Sequence, residues 1–120
     1  MPFRSLAARQ LGELLGVLAH PHRLRIIEEL RAGERDVNAL QAALGISHSG
    51  VSQHLGLLRA HRLVAERRAG RHVYYHLRQP ALAAWLLHGL EFVAGQACDS
   101  AAVQAAVAHA RALWSGTGDD

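Results

Sequence analysis

The stretch from Asp36 to Leu77 constrains the fold more than any other part of this 120-residue chain. Val37, Leu40 and Leu44 recur at i, i+3 and i+7, one apolar stripe on a helix. Gly45 comes next as a residue that takes positive φ after a helix end, and Ser47 or Ser49 can cap the next helix. In that next helix Val51, Leu55, Leu58 and Arg62 fall on one side at about 100° per residue. Ser49, Ser52, Gln53, Gly56 and Ala60 fall on the other, a face of small and hydrogen-bonding residues with no acid. Beyond it, Leu63–Arg68 and Arg71–Leu77 read as two strands turned at Ala69-Gly70. Val73, Tyr75 and Leu77 alternate there with His72, Tyr74 and His76, the period of a half-buried strand.

Charge is concentrated in the same stretch. From Arg59 to Arg78 there are six arginines against one acid, Glu66, a local excess of +5. Arg67, Arg68 and Arg71 surround the glycine of the hairpin tip. Ser and Gln side chains on an acid-free helix face suit the major groove of double-stranded DNA, and Gly56 lets the backbone come close. Helix, turn, helix and basic hairpin in that order predict a winged helix-turn-helix, with residues 36–62 the helix-turn-helix and 63–77 the wing. The expected DNA contacts are His48, Ser49, Ser52 and Gln53 on the recognition helix and Arg62 at its end. Arg67, Arg68, Arg71 and His72 are expected on the wing. A rival reading is a helical interaction module whose basic wing gives only nonspecific nucleic-acid adhesion. The Ser49/Ser52/Gln53 face argues against it.

The remaining helices are expected to build a single domain over residues 1–120 and a dimer. Phe3 to Ala19 reads as a first helix with Leu6, Leu11, Leu14, Leu15 and Leu18 as its apolar side. Pro21 fits the first turn of a second, in which Leu24, Ile27 and Leu30 face inward until Gly33 ends it. Arg23 and Arg25 read as part of a solvated face. Pro80 opens a fifth helix, Ala81 to Gln96, that is apolar on more than one side. So short a chain offers little to cover it, and the simplest cover is the same helix of a second copy. Leu82, Trp85, Leu86, Leu90 and Val93 are the expected interface, with residues 1–19 and 81–115 as dimerisation helices. Asp99 or Ser100 can cap a sixth helix with Val103, Val107, Ala110 and Trp114 as its stripe. The predicted class is mainly α: six helices with one two-stranded hairpin between the fourth and fifth.

No long apolar run is uninterrupted, so no membrane span is expected, and the first twenty residues lack the pattern of a signal peptide. A cytoplasmic location is the resulting expectation. The single cysteine, Cys98, excludes an internal disulfide and any Cys-pair zinc motif. There is no HExxH, phosphate-binding glycine loop or nucleophile elbow, so enzymatic activity is not expected.

The segment ISHSGVSQHLGLLRAHRLVAERRAGRHVYYHL resembles the DNA-binding region of the ArsR/SmtB-type bacterial repressors. The upstream LAHPHRLRIIEEL resembles the second helix of that family. The likeness runs from about Leu14 to Leu77 and rests on the (S)xxVSxHLxxLrxxxLV core, the Arg-Gly wing and the xVYYxL return strand, in that order. It implies a homodimer on an imperfect palindrome, acting as a repressor relieved by a metal or another inducer. Arg62 departs from the pattern, since many members have Gly there and a few a polar residue.

Two metal sites that the resemblance would offer are missing. The positions of a Cys-Val-Cys pair hold Asp36 and Asn38, and those of an Asp-x-His with a later His-x-x-His/Glu fall near Gln79, Ala81, Phe92 and Gly95. The chain nevertheless holds nine histidines. His88 and Glu91 are i, i+3 on the fifth helix, with His109 and the Cys98/Asp99 junction as further candidates. Histidine and carboxylate ligands favour Ni²⁺, Co²⁺ or Zn²⁺. The resemblance permits this, because the family includes nickel- and cobalt-responsive members with ligands on these C-terminal helices. The plainer alternative is a surface His–Glu pair. His20 and His22 flank Pro21 and are expected to diverge, while His54 is expected to pack or bond locally. The competing functional reading is a regulator, activators included, that has no effector or answers a non-metal one.

Overall fold

The computed structural model describes residues 2–96 and 99–115. In chain order the elements are α1 (Pro2–Leu18), α2 (Pro21–Leu30), β1 (Arg35–Asp36), α3 (Val37–Leu44), α4 (His48–Ala60), β2 (Val64–Ala69), β3 (His72–Leu77), α5 (Ala81–Gln96) and α6 (Ala101–Ser115). Short polar side chains set several of the helix starts. Asp36 accepts the Ala39 N–H at 2.7 Å, and Ser47, rather than Ser49, accepts that of Gly50 at 3.0 Å. Ser100 does the same for Val103 at 3.2 Å, which decides between the two expected caps of α6. α2 is capped by a histidine: His20 is extended, and its Nδ1 accepts the His22 N–H at 3.0 Å. Caps of this kind contribute about 1 kcal/mol each.

The sheet has three strands, not the two expected. Arg35 and Asp36 pair antiparallel with Tyr75 and Tyr74, giving the order β1-β3-β2. Two residues are too few to show an alternation, so this strand leaves no periodic trace in the sequence. In the hairpin Val64 pairs with Leu77 and Ala69 with His72, which makes Gly70 and Arg71 the turn. Gly70 has φ +63°, as two-residue hairpin turns require at their first central position.

Among the described residues the core centres on one cluster, with Val107 of α6 buried outside it. Ile26, Ile27 and Leu30 of α2, Leu40 of α3 and Val51, Leu55 and Leu58 of α4 meet Val17 and Leu18, with Val64, Leu77 and Ala83 closing it. The expected α4 stripe stops at Leu58, because Arg62 lies beyond the helix with φ +60°. There the Arg62 N–H bonds the Arg59 carbonyl at 2.9 Å and the Leu63 N–H that of Leu58 at 3.0 Å. That bond pair is the Schellman closure, and Leu58 and Leu63 both pack on the core as the motif favours. The left-handed residue of the motif is usually glycine, and an arginine there carries strain.

Outside this cluster α1 and α5 carry apolar side chains that the other described residues leave uncovered. Phe92 is 76% exposed, and Leu6, Leu11, Leu15, Trp85 and Val93 between 43% and 50%. Leu82 and Leu86 pack partly against the core, and Leu90 is half-buried. Two apolar clefts lie along this surface, one of about 410 Å³ between Leu15, Trp85 and Phe92, the other of about 320 Å³ between Leu24, Leu90, Val93 and Trp114. Among the described residues, no helix is long and apolar enough to cross a membrane.

The Arg62 turn yields a direct test. Arg62→Gly removes the left-handed strain, offset in part by the extra freedom of glycine in the unfolded chain. Stability in urea should rise by about 0.5–1 kcal/mol with the m-value unchanged. Gly45→Ala, at a φ of +68°, should lower it by about 1 kcal/mol.

Candidate nucleic-acid interface

The two sides of α4 differ completely in exposure. Val51, Leu55 and Leu58 have none, whereas Ser49, Ser52, Gln53, Gly56 and Ala60 are exposed. Burial of the first set therefore fixes which residues the helix presents outward. Beside that face lies a cleft of about 280 Å³ between the starts of α3 and α4 and the wing. His48 and Ser52 line it from α4, and Arg68, Arg71 and His72 from the wing. Five of the nine expected contact residues thus converge on one concavity, with Ser49 and Gln53 on the adjoining helix surface.

The cleft also contains residues that sequence reasoning misses. Asn38 enters from the first turn of α3, where the only available signal is its place in the helix-turn-helix. Asp36, besides capping α3, places its carboxylate 3.7 Å from the His72 Nδ1, because β1 pairs beside that end of β3. Glu66 is an acid inside a basic cleft, and it is engaged from two sides. The Tyr75 hydroxyl donates to it at 3.2 Å and Arg59 lies 3.4 Å away. Burial, and then this hydrogen bond, push the Tyr75 phenol up.

Two expected contacts are placed elsewhere. Arg67 faces Tyr74 across the hairpin, 4.9 Å over its ring, and its Nε donates to the Glu34 carboxylate at 3.2 Å. The hydrogen bond from Arg67 holds the Glu34 carboxyl below its ordinary range, against a smaller opposing effect of desolvation. Arg67 is a strut between the wing and the loop before β1. It is not among the residues lining the cleft, and the partner Glu34 lies 33 residues away, beyond any local pattern. Arg62, as the residue that ends α4, lines a separate cleft of about 260 Å³ with Leu14, Leu63, Gln79 and Leu82. That cleft shares no residue with the basic one.

The histidines are also rearranged relative to expectation. His88, Glu91 and His109 are exposed and, among the described residues, do not come together as a group that could hold an ion. Glu91 instead lies 3.6 Å from Arg111. Cys98, named with them, lies outside the described residues. The trio that does converge is His20, His22 and His54. Divergence of His20 and His22 assumes that both are helical, but His20 is the extended cap residue and turns its ring back over the first turn. Desolvation, then the neighbouring His20, Arg23 and His22, hold His54 below the ordinary histidine range.

A family model described as a helix-turn-helix domain matches residues 18–67. The Synechocystis "Transcriptional repressor SmtB homolog" is 47% identical over 70 residues, 58% of this chain and 53% of that protein. The chain therefore matches about half the length of that relative. The "Biofilm growth-associated repressor" of Xylella fastidiosa is 37% identical over 83 residues, 69% of this chain and 72% of that one. Among solved structures, NolR from Sinorhizobium fredii superposes with a TM-score of 0.69 at 34% identity, covering 77% of this chain and 92% of its own. The homodimeric winged helix-turn-helix DNA-binding domain of Mycobacterium bovis Mb0332, described as a possible ArsR-family regulator, does so at 0.63 and 30%, covering 78% and 85%. With its helix order, three-stranded wing sheet and these relatives, the chain belongs to the ArsR/SmtB family of winged helix-turn-helix transcriptional regulators, not to a family of enzymes.

Proposed function

We propose that this chain is a cytoplasmic repressor that binds an imperfect DNA palindrome as a homodimer and releases it when Ni²⁺, Co²⁺ or Zn²⁺ binds. The observation that carries the DNA reading is the convergence of His48, Ser52, Arg68, Arg71 and His72 on one cleft beside the acid-free face of α4. Ser49, Ser52 and Gln53 enter the major groove and read base edges, while Arg68 and Arg71 neutralise phosphates next to it. A single recognition helix covers too few base pairs for useful specificity. Two of them about 34 Å apart read both halves of a palindrome. The uncovered apolar side chains of α1 and α5, Trp85 and Val93 among them, support a two-fold interface there, as does the homodimeric state of the Mycobacterium bovis domain.

Release requires an ion that binds the free and DNA-bound dimers with different affinity, since an equal preference shifts nothing. The histidine content supports a borderline metal in that role. The ligand set that the fold brings together for it is the trio at α2 and α4, and His88, Glu91 and His109 would have to move toward one another to supply a second.

Selection of bound fragments from random duplex supplies the operator, and variants then test the assignments. Gln53→Ala should cost about 1–3 kcal/mol on the selected site and relax specificity at one base pair. Arg71→Ala should weaken all sequences alike and lower the salt slope by about 0.9. Arg67→Ala should change that slope much less, because its guanidinium is already committed to Glu34. Equal effects of all three on selected and random DNA would remove the helix and wing from their roles.

The interface is tested at a position that the core does not need. Trp85→Glu should give a folded chain that sediments as a monomer at micromolar concentration and binds the palindrome far more weakly. A wild-type chain that is itself monomeric would sink the dimer.

A further inference from the structure

The three histidines at the junction of α2 and α4 belong to neither the DNA face nor the apolar surface. We propose that His20, His22 and His54 form a binding site for one Ni²⁺, Co²⁺ or Zn²⁺ ion, tying the start of α2 to the middle of the recognition helix. This rests on the metal-relieved repression proposed above and gives its effector a location.

The geometry carries the inference. One ligand atom from each residue lies within 4.8 Å of the other two. A tetrahedral ion with bonds of about 2.0–2.1 Å needs donor atoms about 3.3 Å apart, which modest side-chain rotations supply. The ring centroids are already at 4.4 Å for His20 and His54, 5.2 Å for His20 and His22, and 5.6 Å for His22 and His54. All three residues are half-buried, so an ion has a way in and room remains for water ligands. Among the described residues no carboxylate or thiol belongs to the group, and three imidazoles select a borderline cation over a hard or a thiophilic one.

The polar contact within the group, the His22 N–H to the His20 Nδ1 at 3.0 Å, engages one of its ring nitrogens. Imidazoles without an acid repel one another when charged, and Arg23 adds to that repulsion at His54. Histidine ligates through an unprotonated ring nitrogen, and one nitrogen from each ring lies within 4.8 Å of the other two. Arg23 also opposes a divalent ion. Its guanidinium is held by the Val17 carbonyl at 2.5 Å, which limits how far it can shift toward the site or away from it.

The site has a route to DNA. A neutral imidazole has one acceptor nitrogen, and that of His20 is occupied as the cap of α2. Ligation by His20 takes that lone pair and releases the His22 N–H, so the ion exchanges a helix cap for a metal bond. His54, on α4, directly succeeds Gln53 about 100° around the helix. An ion that reshapes the start of α2 while gripping His54 therefore shifts the helix that carries the reading face.

The experiment titrates Ni²⁺, and in parallel Co²⁺ and Zn²⁺, into the full chain by calorimetry, with operator affinity measured with and without the ion. Wild type should bind one ion per chain. His54→Ala and His22→Gln should each weaken binding at least tenfold, and His88→Ala should leave it unchanged. Circular dichroism identifies any variant that fails to fold, and His22→Gln, which keeps the backbone N–H that His20 caps and leaves α4 intact, keeps the test open if His54→Ala does. The saturating ion should lower operator affinity by roughly 5–150-fold, with DNA lowering ion affinity by the same factor. Unchanged ion binding in both His54→Ala and His22→Gln overturns this site, and metal-relieved repression then stands or falls on the DNA arm alone. Ion binding at the trio with unmoved operator affinity upholds the site and overturns metal-relieved repression. No binding to wild type overturns both.

Discussion

The structure depends on the burial of three side chains of α4. Val51, Leu55 and Leu58 have no exposure and are held by Ile26, Ile27, Leu30 and Leu40 from the two preceding helices. Each is worth about 1.5–3 kcal/mol when fully buried, so together they rival the roughly 5–15 kcal/mol by which a typical domain is stable. Turning α4 by one residue, about 100°, would drive a serine into the core and a leucine into water. The identity of the outward face is therefore set from inside the molecule. The same residues govern the path of the chain beyond α4, because Leu58 supplies the carbonyl and the apolar surface on which it turns into the wing.

Charges of the wing are sorted by their partners. Arg59 and Arg67 sit against Glu66 and Glu34, and the sequence places Arg68 and Arg71 at the tip. Ion pairs this exposed contribute little to stability, commonly under about 1 kcal/mol. Their effect is positional: Arg67 spans the outer face of the sheet, and Glu66 is drawn toward Tyr75 and Arg59. A net excess of arginine thus becomes a smaller, directed set of charges at the cleft.

The fold is largely legible in the sequence because its signals are local. The stripe Val37, Leu40, Leu44 and the alternation from His72 to Leu77 each lie within one element, and α5 runs from Ala81 to Gln96 as its apolar pattern predicts. The candidate DNA face is legible for the same reason, since Ser49, Ser52 and Gln53 belong to one helix. What escapes depends on contacts between distant segments. β1 is too short to carry a period, and the Glu34–Arg67 pair joins residues 33 apart. The meeting of His20 with His54 arises from the packing of α2 on α4, which no spacing encodes. Periodicity assigns Arg62 to a helix stripe because it cannot register that the helix has already ended.

The short strand β1 has a mechanical consequence. It borders β3 only at Tyr74 and Tyr75, so those residues have a neighbouring strand on both sides while Val73 and His72 have only β2. The wing is thus a cantilever clamped at its root by the segment that leads into α3. Bending of the arm falls on the unclamped end from Arg68 to Val73, so accommodation of a curved or narrowed duplex would disturb only that end. Backbone amides near the clamp should exchange with solvent slowly and those at the free end quickly, a gradient of protection along a single hairpin.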